Sequence, residues 1–272
     1  MKVTLLGTGT SAGIPVLTCR CLVCQSHDFR DKRLRCSVLI EWPDYVLVID
    51  AGPDFRYQML RAGSPSLDAV VFTHEHKDHV AGLDDIRPFN FLQGKRIDVF
   101  ATNTVAEALK REYHYIFSGE DYPGIPEINL RIINENAFKA GAYEIIPIKV
   151  YHHNLPVFGY RIQNFAYITD ANRIESLELE KLKGLDVLIL NALRQSPHLS
   201  HFSLSEAIKI AEQVGAKRTF FTHISHQMGL HQEVEKNLPR NMHLAFDGLV
   251  IQWAVDGVKF NLNHQTTLQL PQ

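Results

Sequence analysis

The stretch AVVFTHEHKDH, residues 69–79, sets the interpretation of the whole chain, because histidines and an aspartate follow directly on an apolar run. In an extended segment, residues two apart point the same way, so His74 and His76 can bind one ion together. If the chain turns into a helix after them, Asp78 and His79 face a different point, where a second ion can sit. Imidazoles rarely gather this densely in an ordinary charged loop, so the spacing predicts two adjacent metal ions.

The bulk properties favour a globular protein with a sizeable core. With 272 residues, 45% of them hydrophobic, we expect a single domain over residues 1–272. A formal charge of -2 provides no strong field, so neither nucleic acid nor a membrane surface is an expected partner. The apolar opening MKVTLL stops at Gly7, and no apolar run approaches the roughly 20 residues that cross a bilayer. We therefore expect a cytoplasmic protein.

Apolar and β-branched runs are spread over both halves of the chain. Residues 37–41 and 45–49, separated by WPD, predict a hairpin, and residues 243–253 predict a second hairpin that turns on Asp247 and Gly248. Residues 204–214 have helical spacing after Ser203, a good N-cap. Strands in each half with helices between them predict two facing sheets with helices outside. The loop at residues 118–126, rich in Gly and Pro, is a candidate lid.

Three later strand ends supply the remaining ligands that a two-metal site needs. The segments VYHH (150–153), YITD (167–170) and FFTH (220–223) each end an apolar run with a ligand-type residue, and rigid sheets build accurate sites in this way. Asp170 is the natural bridge because its carboxylate has two oxygens. Asp50, also at a strand end, is expected to accept a hydrogen bond from a ligating histidine.

These residues, in this order, resemble the metallo-β-lactamase superfamily over nearly the whole chain. The resemblance implies an α/β fold, the four-layer αββα metallo-β-lactamase sandwich, with a dinuclear metal site. It also implies two ligand sets, the first being His74, His76, His152 and Asp170, and the second Asp78, His79, Asp170 and His223. Only one of the neighbours His152 and His153 should bind, and His152 is preferred from its position relative to Gly159 and Tyr160. Zn²⁺, Mn²⁺ and Fe²⁺ all suit these ligands.

A cysteine cluster predicts a separate metal site. Cys19, Cys21 and Cys24 lie within six positions, where they cannot pair neatly as disulfides but can surround one tetrahedral Zn²⁺. His226, three residues after His223, is the candidate fourth ligand, which would attach the N-terminal loop to a late strand end. The alternative is a set of reduced thiols without metal. Cys36, within an apolar run, is expected in the core.

Two further stretches narrow the resemblance. GTGTSAGIP (7–15), followed by the cysteine cluster, and THISHQ (222–227) resemble the phosphoribosyl cyclic phosphodiesterase branch of the superfamily, whose members carry an extra structural zinc. The resemblance implies that His201 is a catalytic residue beside the metals, together with Asp78, and it implies a homodimer. The expected reaction is hydrolysis of a small phosphodiester, cyclic ones included, by a water that two metals activate. His201 would protonate the leaving oxygen or bind the phosphate.

Other functions fit the same ligands. Nucleases that process tRNA share the fold and ligand order, although the near-neutral charge argues against RNA binding. Thioester or lactam hydrolysis uses the same activated water. A binding module stabilised by metals would keep the ligands without any turnover. The sequence does not choose the physiological substrate or pathway.

Overall fold

The structure is a computed structural model that describes residues 1–119, 124–254 and 257–261. The described residues group into two compact units. The first unit comprises those within Met1–Leu6, Ser37–Asn134 and Gly248–Gln272, and the second comprises Gly7–Cys36 and Glu135–Asp247. The expectation of a single domain stays a prediction. Each unit contains one sheet and its own helices.

The strands occur throughout the chain. In chain order they are β1 (Lys2–Gly7), β2 (Ser37–Glu41), β3 (Val46–Ile49), β4 (Ala69–Val71), β5 (Ile97–Ala101), β6 (Ile128–Ile132), β7 (Phe138–Ala140), β8 (Tyr143–His152), β9 (Leu155–Ile162), β10 (Phe165–Ile168), β11 (Arg173–Ile174), β12 (Val187–Asn191), β13 (Arg218–Thr222), β14 (Met242–Leu244), β15 (Val250–Ala254) and β16 (Gly257–Asn261).

The helices are mostly short. They are α1 (Leu22–Gln25), α2 (Phe55–Ala62), α3 (Lys77–Val80), α4 (Arg87–Gln93), α5 (Asn103–Glu112), α6 (His114–Phe117), α7 (Ser176–Glu180), α8 (Leu204–Val214) and α9 (His231–Glu235). Among the described residues, no helix has the length and apolar character needed to span a membrane.

The sheet of the first unit has the strand order β16-β15-β1-β2-β3-β4-β5-β6. Strands β2 and β3 form the antiparallel hairpin predicted from the runs around WPD, with Val38 opposite Ile49. From β3 to β6 the neighbouring strands are parallel. Every residue of β3 and β4 is buried, which explains why these strands are continuously apolar rather than alternating. The functional motif at residues 73–79 therefore begins just beyond a fully buried parallel strand.

The sheet of the second unit has the strand order β11-β8-β9-β10-β12-β13-β14, and β7 pairs with β8. Strands β8 and β9 are antiparallel, whereas β10, β12, β13 and β14 are parallel neighbours. The carboxyl ends of β10, β12 and β13 consequently meet at one edge of the sheet. Those ends carry Asp170, Asn191 and His223.

Helices pack on one face of each sheet. In the first unit, Val105 and Leu109 of α5 share a buried core with Val99 of β5. In the second unit, α8 packs against β12 and begins at Ser203, whose side chain and that of Glu206 form a reciprocal capping box. The helix predicted at residues 204–214 is therefore confirmed with its N-cap.

The hairpin predicted over residues 243–253 is wrong. Strand β14 pairs in parallel with β13, whereas β15 pairs antiparallel with β1. Asp247 and Gly248 do form a turn, but the strands on either side of it pair with different partners rather than with each other. The Asp247 carboxylate accepts hydrogen bonds from the Thr8 hydroxyl and the Leu34 backbone N–H, each at 2.8 Å. The Asp-Gly pair marks the passage from one sheet to the other. Of the candidate lid at 118–126, residues 120–123 lie outside the described residues.

Candidate metal centre

The first-unit cluster consists of His74, His76, Asp78 and His79. The chain leaves β4 in an extended segment and turns into α3 after His76, as the motif predicted. The ring centroid of His74 lies 4.5 Å from that of His76 and 4.2 Å from that of His79. His74 and His79 are buried, so their side chains are packed in the protein and do not extend into solvent from a loop.

Asp50 fixes the orientation of two of these imidazoles. His79 Nδ1 lies 2.7 Å from Asp50 Oδ2, and the Thr73 hydroxyl donates to the same oxygen at 2.9 Å. Because the Thr73 proton points at Asp50, the contact of 2.9 Å between Thr73 Oγ1 and His74 Nδ1 requires His74 to donate. Both imidazoles therefore carry the proton on Nδ1 and can offer the Nε2 lone pair to a metal. Burial raises the pKa of Asp50, while the hydrogen bonds from His79 and Thr73 act against that shift.

A close backbone approach holds α3 in place. A Cβ built on Gly82 would lie 2.1 Å from the Gly52 carbonyl oxygen, so only glycine fits where the end of α3 meets the loop after β3. The Gly82 N–H donates to the Ala51 carbonyl at 2.8 Å, and the Tyr113 hydroxyl donates to the Val80 carbonyl at 2.9 Å. The segment that carries Asp78 and His79 is thus fastened beside Asp50.

The second-unit cluster consists of His152, Asp170, His201 and His223. Donor atoms of His152, Asp170 and His201 all lie within 4.8 Å of one another. His223 Nε2 lies 3.3 Å from Asp170 Oδ1, and its ring stacks on that of His201 with centroids 4.7 Å apart. Four residues from widely separated parts of the sequence therefore form one compact group within this unit.

The structure separates the neighbours His152 and His153. His152 Nδ1 donates to the Ser200 carbonyl at 2.9 Å, which again leaves Nε2 as the nitrogen that can bind a metal. Its ring centroid lies 4.5 Å from that of His201. His153 is exposed, with a left-handed backbone (φ 56°), and its N–H donates to Asn172. The preference for His152 agrees with this placement.

Strained backbone conformations coincide with three of the key residues. Asp50, Asp170 and His223 have φ values of 64°, 58° and 55°, in the left-handed region that non-glycine residues seldom adopt. Each lies one or two residues beyond the end of a strand, at the carboxyl edge of its sheet. Such strain persists where the surroundings impose it, and it concentrates at functional sites.

His201 is almost fully buried, at 8% exposure. Burial, followed by the neighbouring His223, lowers the pKa of His201 to about 3. Its imidazole is therefore neutral at neutral pH, with one N–H donor and one acceptor nitrogen. His198, whose ring centroid is 5.2 Å from that of His201, also has a pKa lowered by burial. Sequence reasoning missed His198, although its spacing of three from His201 in PHLSH was a usable signal.

The donor sets of both clusters fit divalent metal ions. Imidazole and carboxylate together suit Zn²⁺, Mn²⁺ or Fe²⁺. His74, His79 and His152 each direct Nδ1 at an oxygen acceptor, which is the arrangement that orients a histidine for metal binding through Nε2.

The cysteine cluster is assembled within the second unit. The Sγ atoms of Cys19, Cys21 and Cys24 lie 3.3, 3.4 and 3.7 Å from His226 Nδ1. The Cys24 N–H points at Cys21 Sγ, and this contact is the main reason that the pKa of Cys21 is lowered to about 6. Burial raises the pKa of Cys24 to about 11. Three thiols and one imidazole around a common point match a tetrahedral Cys₃His zinc site, and Cys36 lies separately in the core.

Comparison with known proteins defines the class. A family model described as a β-lactamase superfamily domain matches residues 45–224. The chain belongs to the metallo-β-lactamase superfamily, a class of metal-dependent hydrolases. This membership, with two mixed sheets flanked by helices, confirms the predicted fold class.

A solved structure narrows the branch. The chain is similar to a diphosphatase of the PhnP family, with a TM-score of 0.87 and 39% identity over 93% of this chain and 98% of that one. This likeness confirms the predicted branch, which is the PhnP-like one.

Two curated relatives are longer than this chain. It is 40% identical to an octanoyltransferase of Porphyromonas gingivalis over 92% of this chain and 51% of that protein. It is 25% identical to a ribonuclease Z of Nostoc punctiforme over 69% of this chain and 52% of that protein. The chain thus spans about half the length of the curated relatives it matches.

Proposed function

We propose that this protein is a metal-dependent phosphodiesterase that hydrolyses a small phosphodiester, cyclic ones included. The observation that carries the proposal is the likeness to a PhnP-family diphosphatase over 98% of that chain, at 39% identity, because a diphosphatase also hydrolyses a P–O bond. The two histidine clusters supply the donor chemistry that such a reaction needs.

The proposed metal ligands follow the superfamily pattern. His74, His76, His152 and Asp170 would hold one ion, and Asp78, His79, Asp170 and His223 would hold the other. Two bound ions supply Lewis acidity, which acidifies a water and neutralises charge on the phosphoryl oxygens.

The chain's own residues then have distinct tasks. Asp50 holds His79 directly and His74 through Thr73, so both present the same nitrogen. Asp78, 3.2 Å from His79 Nε2, stands where it can accept a proton or a metal. His201 lies beside Asp170 and His223 and is assigned to contact the phosphate or the leaving oxygen, to which its neutral imidazole can donate an N–H hydrogen bond.

We also propose that the cysteine cluster holds one structural Zn²⁺. Such a site would connect the cysteines around α1 to His226, which lies in the segment after β13. Its contribution is to folding rather than to turnover, because a closed site with four protein ligands leaves no position for substrate.

A substrate panel tests the proposed reaction. Protein reconstituted separately with Zn²⁺, Mn²⁺ and Fe²⁺ is assayed against cyclic nucleotides, linear diesters and phosphoribosyl cyclic phosphates, with a thioester and a β-lactam included. We expect turnover of a phosphodiester that disappears after chelation and returns on adding metal. Turnover confined to the thioester or the lactam would overturn the assignment, and no turnover with any metal would favour a binding module.

The ribonuclease Z relative supports a second candidate, a nuclease that processes tRNA precursors. Against it stands the formal charge of -2, which gives little attraction to a polyanion. RNA binding whose affinity falls steeply with salt, together with cleavage of a tRNA precursor, would favour the nuclease.

A further inference from the structure

The loop that carries His201 is held by hydrogen bonds to other segments of the second unit. Residues 198–202 form an irregular segment ahead of the α8 N-cap, and we call this segment the His201 loop. Three polar groups of the segment have partners on strand ends of the same unit. The Ser200 carbonyl accepts from His152, the Leu199 carbonyl accepts from Asn172 Nδ2 at 2.9 Å, and the Phe202 N–H donates to the Ala171 carbonyl at 2.8 Å.

Asn172 is the residue that bridges two functional loops. Its Oδ1 accepts from the His153 N–H at 2.9 Å, next to His152, while its Nδ2 holds the Leu199 carbonyl, two residues before His201. Its own N–H donates to the Tyr151 carbonyl at 2.8 Å, so its backbone is fixed as well. One planar amide therefore connects the turn after His152 to the His201 loop.

Asn191 braces the other side of the same segment. It is fully buried at the end of β12, and both atoms of its amide pair with Ala171, Oδ1 with the N–H and Nδ2 with the carbonyl, each at 2.8 Å. That carbonyl is the one that also receives the Phe202 N–H. The Asn191 amide thus fixes the backbone of Ala171. The next residue, Asn172, reaches from there toward the His201 loop.

The chemistry of these contacts requires a carboxamide. A backbone N–H needs an acceptor and a backbone carbonyl needs a donor, and asparagine supplies both from one short rigid group. Aspartate keeps the acceptor but loses the donor, and it sets a negative charge against the Leu199 carbonyl. Serine is too short to reach both partners. The role therefore belongs to the side chain of Asn172 and not to polarity in general.

We propose that Asn172 is a positioning residue for His201, which sets the placement of that imidazole without touching substrate. This inference rests on the proposed catalytic role of His201. In well-oriented sites a displacement of about 1 Å can cost about 100-fold in rate, so loosening the loop reduces turnover even when metals and substrate still bind.

The test compares three variants under metal-reconstituted conditions. Asn172→Asp and Asn172→Ser should each lower kcat about tenfold or more, with little change in KM and with metal content unchanged by elemental analysis. The serine variant adds no charge, which separates loosening of the loop from electrostatic effects on the metals. Asn237→Asp is the matched control, because Asn237 Nδ2 donates to the Glu233 carbonyl in α9, outside the His201 loop. It should retain full turnover.

Two further readouts distinguish positioning from general structure. In a His201→Ala background, Asn172→Ser should cause no additional loss, because the imidazole it positions is gone. Amide hydrogen exchange at residues 199–202, and at the His153 N–H that Asn172 also holds, should be faster in Asn172→Ser than in the wild type, with the rest of the second unit unchanged. Full additivity in the double variant, unchanged exchange in the loop, or unchanged kcat would each overturn the inference. The exchange measurement needs no substrate, so it tests the tether even if the proposed reaction fails.

Discussion

The first-unit cluster and the second-unit cluster are built in opposite ways. The first is a short continuous stretch that turns from a strand into α3, with Asp50 behind it. The second gathers His152, Asp170, His201 and His223 from different strand ends and one loop. A contiguous cluster depends on local turn geometry, whereas an assembled cluster depends on the register of a whole sheet. The following predictions test that difference.

The largest effect is expected in the assembled cluster. His201→Ala removes the imidazole assigned to the leaving oxygen or the phosphate, and general acid–base groups contribute about 10²- to 10⁴-fold. We expect kcat on a phosphodiester to fall within that range while metal content stays the same, measured by steady-state kinetics and elemental analysis. Unchanged turnover would remove His201 from the mechanism.

A smaller effect is expected behind the contiguous cluster. Asp50→Asn removes the acceptor charge that orients His79 and, through Thr73, His74. Residues that orient metal-binding histidines typically contribute about 10- to 100-fold to metal affinity or activity. Metal titration should show weaker binding, and excess metal should restore part of the turnover. Wild-type affinity in this variant would show that the motif at residues 73–79 orients itself without support.

The next prediction tests whether the cysteine cluster stabilises the fold without taking part in the reaction. Cys21→Ser should remove one equivalent of zinc and lower the melting temperature by about 5–10 °C, since about 1 kcal/mol shifts it by about 2–4 °C in chains of 150–250 residues. The rate per reconstituted active site should change little. Cys36→Ser is the control for loss of a thiol, because Cys36 lies in the core and outside the cluster. A Cys21→Ser protein with normal zinc and melting would refute the structural site.

At neutral pH the smallest effect concerns a second contact between remote segments of the second unit, because this effect develops only in acid. His231 Nδ1 lies 3.1 Å from the guanidinium of the buried Arg33, and burial, followed by Arg33, lowers the pKa of His231 to about 3. The unfolded chain takes up a proton near the ordinary value of 6.5, but the folded protein does so only near 3. Stability from this site is therefore complete above pH 6.5 and lost as the pH falls from 6.5 toward 3.

Chemical denaturation at a series of pH values measures this dependence. His231→Asn keeps an acceptor for Arg33 but cannot take up the proton, so its stability should fall less between pH 7 and pH 4. If the free energy of unfolding falls equally with pH in the variant and the wild type, a group other than His231 controls the loss of stability in acid.

Much of the site could be predicted because its chemistry is written in residue type and spacing. The spacing of histidines in residues 69–79 indicated the first-unit cluster, and the positions of Asp170 and His223 after apolar runs indicated that both could be ligands. The hairpin prediction at 243–253 failed because an Asp-Gly pair indicates only a local turn, and the strands on its two sides, β14 and β15, pair with β13 and β1 instead of with each other. Asn172 and Asn191 gave no signal, since an asparagine that clamps two distant backbone groups looks like any loop or strand-end asparagine.

The sequence by itself determined the superfamily, the donor types and the order in which they occur, because metal binding demands particular atoms at short spacings. Only the tertiary structure decided which of His152 and His153 joins the cluster, which nitrogen each histidine presents, and how the His201 loop is held. Those outcomes depend on hydrogen bonds between residues far apart in the chain. Such bonds exist only once the sheets have set their register.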